Sequence, residues 1–205
     1  MLGMNRKLAQ LEKEGGMIRV GLIGAGQMGR GMISQIESMR GMRVVATADL
    51  LVDNAVKAYT LAGVPESNIV RTDDRDLADK KIAGGFVVVT RDADMIAHLD
   101  GVDVIVDATG IPNVGAQVAW NAIMNKKHIV MLNVETDVTV GPLLKRLADA
   151  AGVVYTGSAG DEPGAIMELY DFAEAIGFDI IAVGKGKNNQ LNVLSNPDVT
   201  AELAR

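Results

Sequence analysis

The sequence contains no cysteine and is poor in aromatic residues, with three Phe, three Tyr and one Trp among 205 residues. Without cysteine the chain cannot form a disulfide scaffold, a thiolate zinc site or a cysteine nucleophile. The scarcity of aromatic rings and the net charge of −6 argue against nucleic acid as a partner, because nucleic-acid binding needs a basic surface and stacking side chains. The composition therefore directs attention to small-molecule chemistry.

Long hydrophobic runs are also missing. No stretch approaches the roughly 20 uninterrupted apolar residues that cross a bilayer, so we expect no membrane partner. The first residues do not form a signal peptide, because charged side chains interrupt them, and we expect a cytoplasmic location. Leu8 and Leu11 stand at helical spacing before Gly15 and Gly16, which predicts a helical extension over residues 1–16.

Apolar residues make up 48% of the chain, which is enough to bury a core. From residue 17 onward, short apolar runs alternate with segments whose apolar residues recur at helical spacing. Nearly all-apolar strands that alternate with helices are typical of a parallel sheet covered on both faces. The predicted fold class is therefore α/β: a Rossmann doubly wound parallel sheet over 17–157. The beginning of a second, incomplete α+β domain follows over 158–205.

Four local expectations accompany this assignment. The charged stretch 65–85 is predicted to be a solvated excursion outside the sheet. A helix is predicted over 142–151, and a last strand over 180–183. The helix after the first strand is expected to pack into the core through its methionines, Met28, Met32 and Met39.

A glycine-rich loop follows the first apolar run. Its sequence, Gly24-Ala25-Gly26-Gln27-Met28-Gly29, has GxGxxG spacing. In this pattern one glycine makes a tight turn, one lets the backbone approach a pyrophosphate, and one allows close packing of helix on strand. The amides at the start of the next helix can then hold phosphates. We assign cofactor binding to Gly24, Gly26, Gln27, Met28 and Gly29. A strand-to-helix turn that binds no ligand would fit the same sequence pattern.

Asp49 ends the second apolar run, about 20 residues after the last glycine of the loop. A carboxylate there accepts hydrogen bonds from ribose hydroxyls and repels a 2′-phosphate, so the expected cofactor is NAD or NADP, with NAD favoured. One alternative is that Asp49 merely starts a turn. Another is an adenosylmethionine methyltransferase, which also has a glycine loop and a following acid, but the three glycines at dinucleotide spacing favour the nicotinamide cofactor.

Small and polar residues also follow two later strands. Open α/β sheets bind ligands at the carboxyl ends of their strands, where small residues let a nicotinamide ribose pass close to the backbone. For Asn133 and Glu135 a turn-forming role is an equal alternative. The candidate cofactor-binding residues here are Ala108, Thr109, Gly110, Asn133 and Glu135.

Three segments carry a resemblance to a known family: VGLIGAGQMGRG, GVDVIVDATGIP and KKHIVMLNVETDVTVGPLLKRLADAAGVVYTG. They resemble the cofactor half of homoserine dehydrogenases. More closely, they resemble bacterial relatives of those enzymes, the SAF-domain-containing oxidoreductases that include deoxyxylulose phosphate reductoisomerase-like enzymes. The segment SAGDEPGAIMELYDFAEAIGFDIIAVGKGKNN continues the resemblance, which covers about residues 17–193. It implies an NAD(P)-dependent oxidoreductase.

The chain departs from the homoserine enzymes at two places. They have Asn-Lys where this chain has Asn133 and Val134, so only Asn133 carries over. Residues 184–189 replace their Gly-Ile-x-Asn-Gly-Thr turn, which points away from homoserine itself. Their catalytic Asp and Lys lie downstream of that turn and have no matching position here, so we expect only the beginning of the second domain.

The candidate catalytic residues lie late in the chain. Lys185 and Lys187 stand in a glycine-flanked turn, where they could bind a phosphate or carboxylate or polarise a carbonyl. A solvated basic turn is the alternative. Glu162 is the candidate for proton transfer, although an acid ahead of a helix also complements the helix dipole. We expect no metal.

Hydride transfer between a nicotinamide cofactor and a small polar alcohol or carbonyl compound is the function that these residues indicate. A reductoisomerase acting on a sugar phosphate is the alternative within the enzyme class. A dinucleotide-binding module or sensor without turnover is the alternative outside it. The expected partner is a small molecule, with a phosphorylated one as an option, and assembly into a homo-oligomer stays open.

Overall fold

The computed structural model describes residues 3–158 and 164–184, without the side chains of residues 164 and 165. The chain divides into two units, Met1–Ser158 and Ala159–Arg205. The first unit alternates helices and strands almost throughout. Its elements are α1 (Met4–Lys13), β1 (Ile18–Ile23), α2 (Gln27–Glu37), β2 (Met42–Ala48), α3 (Val52–Leu61), β3 (Ile69–Arg71), α4 (Arg75–Ala83), β4 (Val87–Thr90), α5 (Ala93–His98), β5 (Val104–Asp107), α6 (Pro112–Met124), β6 (His128–Met131), α7 (Val134–Ala151) and β7 (Tyr155–Gly157).

The seven strands form one parallel sheet in the order β3-β4-β2-β1-β5-β6-β7. From β1 the chain builds outward to β2, β4 and β3 on one side, and then through β5, β6 and β7 on the other. The strand order therefore reverses between β1 and β5, which is where doubly wound sheets open a crevice at their carboxyl edge. The prediction of a Rossmann doubly wound α/β fold is confirmed.

Helices cover both faces of the sheet. Ile33 of α2 and Tyr59 of α3 are fully buried in one core layer. Ile96 of α5, Ile123 of α6 and Leu144 of α7 belong to the other layer. Because the strands are apolar on both sides, neither face of the sheet is left to solvent. Ahead of the sheet, the helix α1 lies within the predicted extension over 1–16 and buries Leu8.

The expectation that Met28, Met32 and Met39 pack into the core was wrong for two of them. Met28 is 62% exposed and Met39 is 37% exposed, and only Met32 packs partly against the core. The helix α2 instead buries Gly29, Ile33 and Ile36. The reason is the third glycine of the loop: it must face the strand for α2 to approach closely, and this turns the neighbouring Met28 outward.

The charged stretch 65–85 is not an excursion outside the sheet. It contains β3, which pairs with β4 at one edge of the sheet, and α4, which buries Ala78 and Ile82. Asp74 caps α4 by accepting a hydrogen bond from the backbone N–H of Leu77 at 3.0 Å. The many charged side chains lie on the solvent side of these elements, which concealed the short apolar signals beneath them.

The predicted start of one helix and the predicted last strand were also wrong. Helix α7 begins at Val134 and not at Pro142, because the Asn133 side chain caps it by accepting from the N–H of Thr136 at 3.1 Å. Pro142 therefore lies inside the helix. In the second unit the described helix is α8 (Gly164–Ala175). The described residues 180–183 form no strand, and Ile181 is 98% exposed.

Candidate functional site

A cleft of about 280 Å³ opens at the carboxyl edge of the sheet. The loops that follow β1, β2, β4 and β5 line it, so it lies at the reversal of strand order between β1 and β5. From the predicted cofactor-binding set, its lining includes Gly24, Gly26, Asp49, Ala108 and Thr109. The fold therefore brings together residues from three separate segments of the sequence.

The three glycines of the loop differ in what a side chain at each position would meet. Gly24 has a φ of 96°, and a Cβ there would lie 2.9 Å from the carbonyl oxygen of Ala108. A Cβ on Gly29 would overlap the carbonyl oxygen of Gly24. Gly26 has an ordinary φ of −66°, and a Cβ there would meet nothing within 4 Å. Gly24 and Gly29 thus shape the loop, whereas Gly26 leaves open space in the cleft.

The start of α2 suits a phosphate group. Its N-cap is Gly26, and within the described residues no side chain caps the helix. The first amides of a helix have no partner inside the helix, and their dipole favours an anion. The open space beside Gly26 lets an anion reach those amides. These groups fit the diphosphate of a dinucleotide.

Asp49 connects the glycine loop to the loop after β2. One carboxylate oxygen accepts from the backbone N–H of Ala25 at 2.6 Å, and the other accepts from that of Leu51 at 2.7 Å. The turn-forming interpretation of Asp49 therefore describes what the carboxylate does within the protein. Each carboxylate oxygen has a further lone pair, which leaves Asp49 able to accept from ribose hydroxyls as well. That contact stays a prediction.

The loop after β5 is held by a buried network of polar side chains. Asp107 is fully buried and accepts from the N–H and the hydroxyl of Thr109, at 3.0 and 2.7 Å. The amide of Asn133, also fully buried, donates to Asp107 at 2.9 Å and to the carbonyl of Ile111 at 3.1 Å. Asn133 thus supports the loop from below and does not line the cleft. A direct contact of Asn133 with a cofactor stays a prediction.

The remaining cofactor candidates lie around the cleft and are not part of its lining. Gln27 and Met28 are exposed on the first turn of α2. Gly110 has a φ of 66° in the loop after β5, and Glu135 is exposed on the first turn of α7. All four are near the carboxyl edge, and their contacts stay predictions.

The candidate catalytic residues Lys185, Lys187 and Glu162 lie outside the described residues. Among the described residues there is no group of three or more acidic or histidine side chains that could hold a metal ion. None of the described helices is both long and apolar enough to cross a membrane.

Sequence reasoning missed several residues of the site. Asp107 ends the apolar run of β5, but nothing in its spacing predicted a buried network, and Gly115 has no sequence signal of its own. A Cβ on Gly115 would overlap the side chains of Asp107, Asn133 and Thr136, so the network needs a glycine there. Arg91, which lines the cleft, could have been found as the first residue after the apolar run of β4.

The loop that carries Arg91 is fixed by an acid from the segment before α4. Asp73 accepts from the hydroxyl of Thr90 at 2.5 Å and from the backbone N–H of Arg91 at 3.2 Å. The hydrogen bond from the Thr90 hydroxyl lowers the pKa of Asp73 below its ordinary value, and the weaker effect of the Arg91 backbone N–H acts in the same direction. The ionised carboxylate therefore holds the loop at neutral pH.

Comparison with known protein families assigns the first unit. Residues 24–156 match the family described as homoserine dehydrogenase, NAD binding domain. The chain belongs to this family. Residues 160–205 match a second family, described as oxidoreductase DRL, catalytic domain. No curated protein matches the sequence.

Solved structures show the same fold as this homoserine dehydrogenase-type domain. The WlbA dehydrogenase from Bordetella pertussis, in complex with NADH and UDP-GlcNAcA, is 17% identical, with a TM-score of 0.53 over 78% of this chain and 43% of that one. Scyllo-inositol dehydrogenase from Lactobacillus casei, with bound NAD(H) and scyllo-inositol, is 14% identical, with a TM-score of 0.52 over 77% and 42%.

A homoserine dehydrogenase from Thiobacillus denitrificans is 24% identical, with a TM-score of 0.48 over 70% of this chain and 30% of that one. The chain thus spans less than half the length of these structures. The family match places the first unit among the NAD-binding domains of NAD(P)-dependent oxidoreductases.

Proposed function

We propose that the cleft binds NAD or NADP and presents it for hydride transfer with a small polar alcohol or carbonyl compound. The observation that carries this proposal is the open space beside Gly26 at the uncapped start of α2. A strand-to-helix turn with no ligand would need Gly24 for its conformation and Gly29 for packing, but it would not need a glycine at position 26, where a Cβ meets no protein atom within 4 Å.

Each part of the edge contributes a separate task. In this proposal the amides at the start of α2 hold the diphosphate, and Asp49 accepts a hydrogen bond from the adenosine ribose. Ala108 and Thr109 are small, so the nicotinamide ribose can pass close to their backbone. Asp107 and Asn133 keep that backbone in place. The bound cofactor supplies the hydride chemistry, while these residues orient it.

The substrate side of the proposal depends on residues outside the described ranges. Lys185 and Lys187 would bind a carboxylate or phosphate of the substrate, or polarise its carbonyl, as point charges. Glu162 would transfer the proton that accompanies oxidation or reduction of the substrate oxygen. Both assignments rest on the sequence pattern.

A second candidate reaction is a reductive isomerisation of a sugar phosphate. Residues 160–205 match the catalytic domain of a different oxidoreductase family from the homoserine enzymes, which favours a substrate other than homoserine. The paired lysines of residues 184–189 would suit a phosphate. Both candidates require the same cofactor site, so binding is tested before turnover.

Replacing Gly26 by Ala tests the cofactor site. Because the added methyl meets no protein atom and the φ of −66° suits alanine, we expect the variant to fold normally. The methyl occupies the path of the diphosphate, so the dissociation constant for NADH and NADPH, measured by fluorescence titration, should rise at least about tenfold, or ~1.4 kcal/mol.

Gly31→Ala is the matched control, because a Cβ on this exposed glycine of the same helix also meets nothing within 4 Å. Its affinity should equal that of the parent chain. Equal affinity in the Gly26 variant would contradict the proposed site. Cofactor binding without turnover of any alcohol, carbonyl or sugar-phosphate substrate would favour the binding-module alternative. Turnover lost in Lys185→Ala or Lys187→Ala would favour the enzyme.

A further inference from the structure

Two charged side chains line the described part of the cleft, Asp49 and Arg91. They follow directly on two neighbouring strands, since Ala48 at the end of β2 pairs with Thr90 at the end of β4. The backbone N–H of Asp49 also donates to the carbonyl of Thr90 at 3.1 Å. A carboxylate and a guanidinium therefore lie on adjacent strand ends, at the part of the cleft that would receive the adenosine.

The Asp49 carboxylate and the Arg91 guanidinium differ in how many hydrogen bonds they make within the protein. Both oxygens of Asp49 accept backbone N–H bonds, from Ala25 and from Leu51. The guanidinium of Arg91 donates no hydrogen bond and forms no ion pair within the described residues, although its backbone N–H is held by Asp73. The loop position of Arg91 is thus fixed, and its guanidinium, which attracts the Asp73 carboxylate without a hydrogen bond to it, keeps its N–H donors for a ligand.

Exposed apolar side chains line the cleft beside these charges. Leu50 is 79% exposed and Ile111 is 52% exposed, and both line the cleft with Arg91. Large apolar side chains that a protein leaves open in a cleft commonly contact a ligand. An adenine ring between them would also present its face to a guanidinium, which stacks on aromatic rings.

We propose that Arg91 makes this site accept NADP as well as NAD, by pairing with the 2′-phosphate of the adenosine ribose. This inference rests on the proposed function of the cleft. An acid after the second strand alone selects NAD, because it repels the 2′-phosphate, whereas a nearby arginine accommodates that phosphate. Here one cleft holds both groups, and the acid is already bonded to backbone amides while the arginine is not.

The test compares binding of NAD⁺ and NADP⁺ to the full chain and its variants by isothermal titration calorimetry. The parent chain should bind the two cofactors with dissociation constants within about tenfold of each other. Arg91→Ala should weaken NADP⁺ at least about tenfold and NAD⁺ by less than about threefold, because only NADP⁺ loses a charge-assisted pair. Arg91→Lys should keep part of the NADP⁺ affinity, since it retains the charge without the planar fork.

Arg146→Ala is the charge-matched control, because Arg146 is exposed on α7 and does not line the cleft. It should change neither constant. The inference is overturned if the parent chain binds NAD⁺ alone, or if Arg91→Ala weakens both cofactors equally. Failure of both cofactors to bind the parent chain would instead overturn the proposed function itself. The two failures are therefore distinguishable in one series of titrations.

Discussion

The charged groups beside the central strands β1, β2 and β5 are satisfied in opposite ways at the two ends of these strands, whereas an ion pair between Arg71 and Asp53 lies at the carboxyl end of the edge strand β3. At the carboxyl edge, Asp49 and Asp107 accept from backbone amides and from neutral side chains, and no cation pairs with them in the described structure. At the amino edge, acids pair with arginines: Asp103 lies 2.6 Å from Arg19. A second pair, Glu37 and Arg43, is 3.6 Å apart.

This difference separates binding from stability. Carboxylates bonded to amides fix the loops of the carboxyl edge without using up the one cation, Arg91, that lines the described cleft. Ion pairs at the amino edge cancel charge locally. We therefore expect substitutions at the carboxyl edge to change cofactor affinity, and substitutions at the amino edge to change stability alone.

Gly29→Ala should have the largest effect, because it attacks the packing on which the carboxyl edge is built. The new Cβ would overlap the carbonyl oxygen of Gly24, so α2 must move away from β1. We expect a loss of about 3 kcal/mol in the free energy of unfolding, at the upper end of overpacking costs. Urea denaturation measures it.

Gly31→Ala serves as the control for a glycine on the same helix. It has free space for a Cβ, so it should be neutral or slightly stabilising, because alanine favours a helix. Equal stabilities of the two variants would refute the close approach of α2 to the loop.

Asn133→Asp comes second, because it removes the donor that joins α7 to the loop after β5. Its Oδ1 could still accept from Thr136, but two carboxylates would then face each other where Asn133 now donates to Asp107 at 2.9 Å. Like charges this close raise the pKa of the pair. The variant should therefore be most stable at low pH, and lose about 2 kcal/mol as the pH rises through the raised pKa.

The same substitution at Asn121 is the matched control. Asn121 donates to the carboxylate of Asp94, whose side chain is 52% exposed, so solvent should screen the new charge. Unfolding free energies from pH 4 to 8, with NADH titrations at each pH, compare the two variants. An unfolding free energy of Asn133→Asp that does not change with pH would contradict the buried position of Asp107 and Asn133.

Local steric features of the carboxyl edge could be predicted from the sequence, whereas contacts between residues distant in the sequence could not. GxGxxG spacing predicted the turn, the open cleft and the helix contact, because each depends on residues within one loop. The Asp107–Asn133 pair joins positions 26 residues apart. The placement of Arg91 beside Asp49 depends on the pairing of β2 with β4. Sequence spacing alone carries no information about either neighbour.

The same limit explains the errors within single elements. Helical spacing placed Met28 in the core, but the helix is turned by the contact of Gly29 with the loop, which outweighs the burial of one flexible side chain. Charged residues hid β3 because an edge strand of three residues carries little apolar signal. The pattern predicts that a helix exists more readily than which side of it faces inward.

Glu37→Gln tests the amino edge and should have the smallest effect. The Glu37 side chain is 12% exposed, and in the described structure its Oε1 has no hydrogen-bond partner. Burial raises the pKa of Glu37 above 4.5, against the opposing influence of Arg43. A raised pKa means that the carboxyl stabilises the fold most below its unfolded pKa, and that this stability is lost as the pH rises through the folded value. Glutamine stays neutral throughout, so the variant should gain up to about 1 kcal/mol over the parent between pH 4 and pH 8.

Asp103→Asn provides the comparison of opposite sign at the same edge. Burial opposes ionisation of Asp103, but hydrogen bonds from the guanidinium and backbone N–H of Arg19 outweigh it and lower the pKa below 3.8. Its stabilisation is therefore present above the unfolded pKa and lost as the pH falls through the folded value. The variant should be less stable than the parent at pH 7, and the deficit should shrink toward pH 3. If both amino-edge variants leave NADH affinity unchanged while their stability differences slope in opposite directions with pH, the two edges act independently. A loss of NADH affinity in either variant would show that the amino edge and the carboxyl edge are coupled.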